Sequence, residues 1–119
     1  MEPAERSRLM EEGRRAFNRG EFYEAHEFWE DVWNEVDDPD RLWIQGMIQI
    51  ATGLHKLQRE RPDICRTLFE KGLTKLADAP EALDGYALKL LREDASRLYH
   101  VLARGEKGEP TSVKLKKQA

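Results

Sequence analysis

Apolar residues recur along this chain with a helical period, and no stretch alternates apolar and polar positions between turns. The pattern therefore predicts helices and no strand. A first helix is expected over about Ala4 to Asn18, with Leu9, Met10, Gly13, Ala16 and Phe17 on one face, and Gly20 suits the left-handed position that ends it. A second is expected over Phe22 to Glu35. Phe22, Ala25, His26, Trp29 and Trp33 share a narrow stripe there, widened by Phe28 and Val32. Asp38 can cap a third helix that opens at Pro39 and runs to Glu60. Its apolar residues, from Trp43 through Ile44, Met47, Ile48, Ile50, Ala51 and Leu54 to Leu57, cover more than half its circumference. A helix of that kind is central and covered on two sides. Pro62 restarts the chain into a fourth helix, Asp63 to Ala77, with Ile64, Cys65, Leu68, Phe69, Leu73 and Leu76 inward. After Pro80, Asp84 can cap a fifth, Gly85 to Arg104, with Leu88, Leu91, Ala95, Leu98 and Leu102 inward.

The expected fold class is all-α: about five helices, arranged as two helix-turn-helix units plus a closing helix in one compact bundle. Residues 1–104 make a single helical domain. Residues 105–119 are a different material, with Gly105, Gly108 and Pro110 followed by Lys114, Lys116 and Lys117, and read as a mobile basic tail.

Composition narrows the function classes. A net charge of −3 argues against broad nucleic-acid binding. No apolar run approaches the ~20 residues of a membrane span, and no apolar stretch follows the charged N-terminus as in a signal peptide. A cytoplasmic protein without a membrane or nucleic-acid partner is the expectation. One cysteine, Cys65, excludes an internal disulfide and a Cys-based zinc cluster, and its place on an apolar face suits an inert thiol.

The chain also aligns with itself at an offset of forty residues. Gly13 meets Gly53, Phe17 meets Leu57, Ala25 meets Cys65, Trp29 meets Phe69 and Trp33 meets Leu73. The first unit resembles a tetratricopeptide repeat in Gly13, Gly20, Phe22, Ala25 and Trp29. Two units are too few for a solenoid, which needs about three. His26 meets Arg66 and Glu27 meets Thr67 in this alignment, so hairpin packing alone does not demand the His-Glu pair.

His26 is the residue that stands out, an imidazole within an apolar stripe with Glu30 one turn later. Such a pair can share a proton or hold a metal ion. Glu27 lies farther out. His55 on the third helix adds a second ring, and Gln45 and Gln49 form an amide pair one turn apart. If the second and third helices pack antiparallel, His26, Glu30 and one of His55, Gln45 or Gln49 should meet within hydrogen-bond reach beside Trp29 and Trp33. The competing readings are a structural hydrogen-bond network, a small-ligand or catalytic pocket with Trp29 and Trp33 as stacking surfaces, and a divalent metal on His26, Glu30 and His55. No cofactor is called for: His-Glu-x-x-Glu is not the His-Glu-x-x-His of zinc hydrolases. The concentration of Phe22, Phe28, Trp29, Val32 and Trp33 on one helix suggests a homodimer.

The run from Phe17 to Glu30, with its Glu24-Ala25-His26-Glu27-Phe28-Trp29-Glu30 core, then Trp33, Gln45 to Ala51 and His55, resembles the family known as domain of unknown function 309. The resemblance covers about residues 8–80. It implies a small, all-helical, cytosolic protein and supplies no reaction. The family's pattern centres on the positions held here by His26, Glu27, Trp29, Glu30, Trp33, Gln45, Gln49 and His55, which favours a site over packing alone. Two function classes follow: an interaction or structural module with an unknown protein partner, or a small-molecule binder or enzyme, metal-assisted or not, using His26 and Glu30.

Overall fold

The computed structural model describes residues 1–119. Five helices follow in order: α1 (Pro3–Asn18), α2 (Phe22–Trp33), α3 (Asp40–Gln58), α4 (Pro62–Leu76) and α5 (Leu88–Ala103). Each packs on its neighbours in sequence, and α3 lies between α2 and α4. The body measures 43 × 26 × 26 Å. The expected double hairpin with a closing helix is thus the observed architecture.

The apolar stripes explain the stacking. Leu9, Met10, Ala16 and Phe17 of α1 meet Phe22, Ala25, Trp29 and Val32 of α2, all buried. Eight residues of α3 are buried, from Ile44 to Leu54. The core is wholly apolar, with no buried polar or charged residue. Cys65 lies within it, and burial pushes its thiol up to about 12, so it stays protonated and unreactive.

Two expectations are corrected. The segment after Pro80 does not open a helix at Gly85. Ala82–Leu83 (β1) and Tyr86–Ala87 (β2) form a small antiparallel hairpin, pairing Ala82 with Ala87 and Leu83 with Tyr86. Asp84 and Gly85 both have positive φ, 53° and 81°, which makes them the two central residues of its turn and not a helix cap. Asp84 instead accepts from Arg6, whose guanidinium also reaches Asp40 at 2.9 Å and so ties the hairpin to the starts of α1 and α3.

The tail is also ordered against the body, contrary to the expectation of mobility. Val113 and Leu115 are completely buried. The side-chain amide of Asn18 donates to the Leu115 carbonyl at 2.8 Å, and its oxygen accepts from the Leu115 amide at 2.9 Å, as a strand partner would. Farther on, Lys117 bridges to Tyr86, so the last residues lie against the hairpin. The Tyr86 hydroxyl donates to Glu11, which Arg14 also grips. The Arg14 contact outweighs partial burial and holds the Glu11 carboxyl down at about 2.

If Leu115 is a core residue, Leu115→Ala should lower the unfolding free energy by about 2–5 kcal/mol in urea titrations. Lys116→Ala, one position along and exposed, should change it by less than ~0.5 kcal/mol. Equal small effects at the two positions would mean that the tail contributes nothing to the fold.

Candidate functional site

The α2 helix divides its residues by direction. Its inward face is taken up by packing, and the Trp29 ring is fully buried, tilted against Phe17 with centroids 5.5 Å apart. The Trp29 indole N–H donates to the Met10 carbonyl at 3.4 Å. Trp29 is therefore a core anchor and offers no face to a ligand, which corrects the expectation of stacking there. Trp33, at the end of the helix, is half-buried. The Arg41 guanidinium covers its ring at 3.8 Å and donates to its carbonyl at 3.0 Å. The Trp33 indole nitrogen is buried without an acceptor.

On the flank that faces α3, His26 Nε2 lies 2.9 Å from a Glu30 carboxylate oxygen, and its Nδ1 lies 3.3 Å from the Tyr23 carbonyl. Glu30 is half exposed, so the pair contributes under ~1 kcal/mol to the fold. The Tyr23 ring contacts both imidazoles, with centroids 5.4 Å from His26 and 5.5 Å from His55. These rings, with Thr52 and Lys56, line a notch of about 130 Å³ between α2 and α3. Ligand pockets run to roughly 300–1,000 Å³, so the notch suits one side chain or one small group. Partial burial, then the charges of Arg59 and Lys56, push the His55 ring below the usual imidazole range.

The expected cluster is thus brought together only in part. His26 pairs with Glu30, but Tyr23 lies between the His26 and His55 rings, and no group of the third helix comes within hydrogen-bond reach of the pair. Gln49 does not join them: it turns to α4, where its amide oxygen accepts from Lys75 at 3.0 Å. Gln45 is half-buried two turns before Thr52 and outside the notch. Glu27 points to solvent. No three His, Cys, Asp or Glu side chains are grouped to hold a metal ion, so His26, Glu30 and His55 do not form such a set. Tyr23, Thr52 and Lys56 were missed, although Tyr23 lies one turn before His26 and the other two lie within a turn of His55.

The outward face of α2 has its own character. Residues 21–40 hold nine of the chain's 23 carboxylates and none of its 20 lysines and arginines. Glu24, Glu27 and Asp31 form an exposed stripe along α2, and the exposed Glu35 follows in the turn after it. Glu21 pairs with Arg19, Glu30 with His26 and Asp40 with Arg6, and the other six have no ion-pair partner.

An all-α double hairpin with a polar notch between its second and third helices defines the class. Residues 10–68 match the family described as domain of unknown function (DUF309), and the chain belongs to that family. The matched segment runs from α1 into α4 and holds every residue of the notch. An uncharacterized protein of Aquifex aeolicus (strain VF5) is 30% identical over 107 residues, which cover 89% of this chain and 31% of that protein. The chain thus spans about a third of the length of the curated relative it matches. No helix is long and apolar enough to cross a membrane.

The His55 shift carries a sign. A ring held below its unfolded value takes up its proton more readily in the unfolded chain, so stability is lost as pH falls through 6.5 towards the folded value. Proton NMR should show His55 titrating below 6.5. Unfolding curves from pH 8 to pH 5 should lose less stability in His55→Asn than in the parent chain. A midpoint at or above 6.5 would place the ring outside the partly buried setting described here.

Proposed function

We propose that this chain is a helical interaction module that works in the cytosol and presents the outer face of α2, with the α2–α3 notch beside it, to a partner protein. The observation that carries this reading is the division of α2. Its inner face is closed into the core, while its outer face displays Tyr23 at 49% exposure and a row of carboxylates that form no salt bridge within the chain. The longer Aquifex aeolicus relative supports it, since there the matching segment lies within a larger polypeptide. Neither nucleic acid nor a membrane enters the proposal: the surface in question is acidic.

A photo-crosslinking residue placed at Glu27 tests this reading, with the same residue at Arg66, exposed on α4, as the comparison. Irradiation in the cells of origin should give a discrete polypeptide adduct from position 27 and none from position 66. Absence of any adduct from position 27 would count against an interaction module that uses this face.

The approach of two imidazoles and a phenol supports a second reading, a small-ligand site using His26 and His55. It predicts that a thermal-shift screen of small polar compounds finds one that raises the melting temperature and that His26→Ala and His55→Ala each abolish the rise. The interaction reading predicts no such rise.

A further inference from the structure

We propose that the outer face of α2 docks a Lys/Arg-rich segment of a partner protein, an inference that rests on the interaction reading above and names the partner's chemistry. The charge of the chain is segregated. With nine carboxylates and no Lys or Arg in residues 21–40, the rest of the molecule carries all 20 basic residues against the remaining acidic ones. On α1 the fold pairs its charges closely: Glu5, Glu11 and Glu12 each meet an arginine. Glu24, Glu27 and Asp31 on α2, and Glu35 just after it, form no salt bridge.

This arrangement works against the helix that carries it. Glu24 and Glu27, and Glu27 and Asp31, are like charges about one turn apart on the helix, which repel. Glu30 and Asp31 stand in the last turn, at the negative end of the helix dipole, where the helix has no basic residue of its own and Arg41 reaches only the Trp33 carbonyl. A cationic partner relieves both penalties at once.

One aromatic ring gives the face more than charge. Tyr23 is exposed, yet its ring is held between His26 and His55, so it forms a fixed platform beside Glu27 and Glu30. A guanidinium stacks readily on such a ring. The molecule already shows this contact at the other end of α2, where Arg41 lies 3.8 Å over Trp33 and donates to the last helical carbonyl.

The spacing fits an extended peptide. Carboxylates on the stripe recur about every 5.4 Å, one helical turn, and alternate side chains of an extended strand recur about every 6.6 Å. A second copy of this chain placed symmetrically, α2 against α2, would oppose acid to acid. Three of the five α2 residues that suggested a homodimer are also occupied, since Phe22, Trp29 and Val32 are fully buried.

The test uses the full chain and a fluorescent dodecapeptide of alternating Arg and Ser, followed by anisotropy at 150 mM salt. Saturable binding is expected. The variant E24Q/E27Q/D31N/E35Q should weaken it at least tenfold, and Tyr23→Ser by about threefold. The variant E2Q/E60Q/D78N/E93Q, which neutralises the same number of exposed carboxylates elsewhere, should leave it unchanged. Circular dichroism should show every variant folded, since all these sites are exposed. Failure of the peptide to saturate, or equal weakening in both quadruple variants, would overturn the proposal. So would self-association in sedimentation that the α2 variant abolishes, because the occupant would then be a second copy. A polypeptide adduct at position 27 with no peptide binding would overturn the basic chemistry alone and leave the interaction reading standing.

Discussion

The whole arrangement depends on two glycines that let aromatic rings lie against a helix backbone. A Cβ at Gly13 would stand 2.0 Å from the Trp29 indole nitrogen, and one at Gly53 would stand 2.8 Å from the Phe69 ring. Both distances are well inside van der Waals contact, so no other residue fits without displacing the ring. In the first hairpin this approach brings the Trp29 N–H to the Met10 carbonyl and closes α2 on α1. In the second it closes α4 on α3. There, Gly46 and Gly72 add a mutual approach, each within about 3 Å of the other's carbonyl had it carried a Cβ. The forty-residue repeat is therefore a repeat of one packing device, a glycine beneath a ring on the following helix.

That device was readable because glycine and ring recur together in sequence, as did the five helices and the burial of their apolar stripes. What escaped was carried by short or ambiguous signals. Asp84-Gly85 between Leu83 and Tyr86 is a hairpin turn signal, but Asp is also a good helix cap, and two-residue strands leave no alternation to detect. In the tail, Val113-Lys114-Leu115-Lys116 alternates over only four residues, too few to weigh against the surrounding glycine, proline and lysine. Its burial rests on a distant group, the Asn18 amide, that no local pattern announces.

The site was legible in the same uneven way. His26, Glu30 and His55 were found because a polar residue on an apolar stripe is visible as an exception. Depth was not visible: Trp29 and Trp33 share the stripe, yet one is sealed in the core and the other lies under Arg41. Nor could the sequence say which edge of the broad α3 faces which neighbour. Gln49 shares α3 with His55 but faces α4, while Thr52 and Lys56 face α2.

The α2 segment does two things with one short helix. Its inner face anchors the first hairpin through the ring over Gly13, and that anchoring lets its outer face carry charges that repel each other and oppose its dipole. The most direct test is the stability of the Glu27→Gln/Asp31→Asn double variant in urea, measured at 10 mM and at 500 mM salt. If the outer face is charged against the interest of the fold, the double variant should unfold at higher urea than the parent at low salt, and the gain should shrink as salt screens the repulsion. A double variant that unfolds at lower urea than the parent would show that the fold itself uses these carboxylates, and would contradict the separation of the two faces.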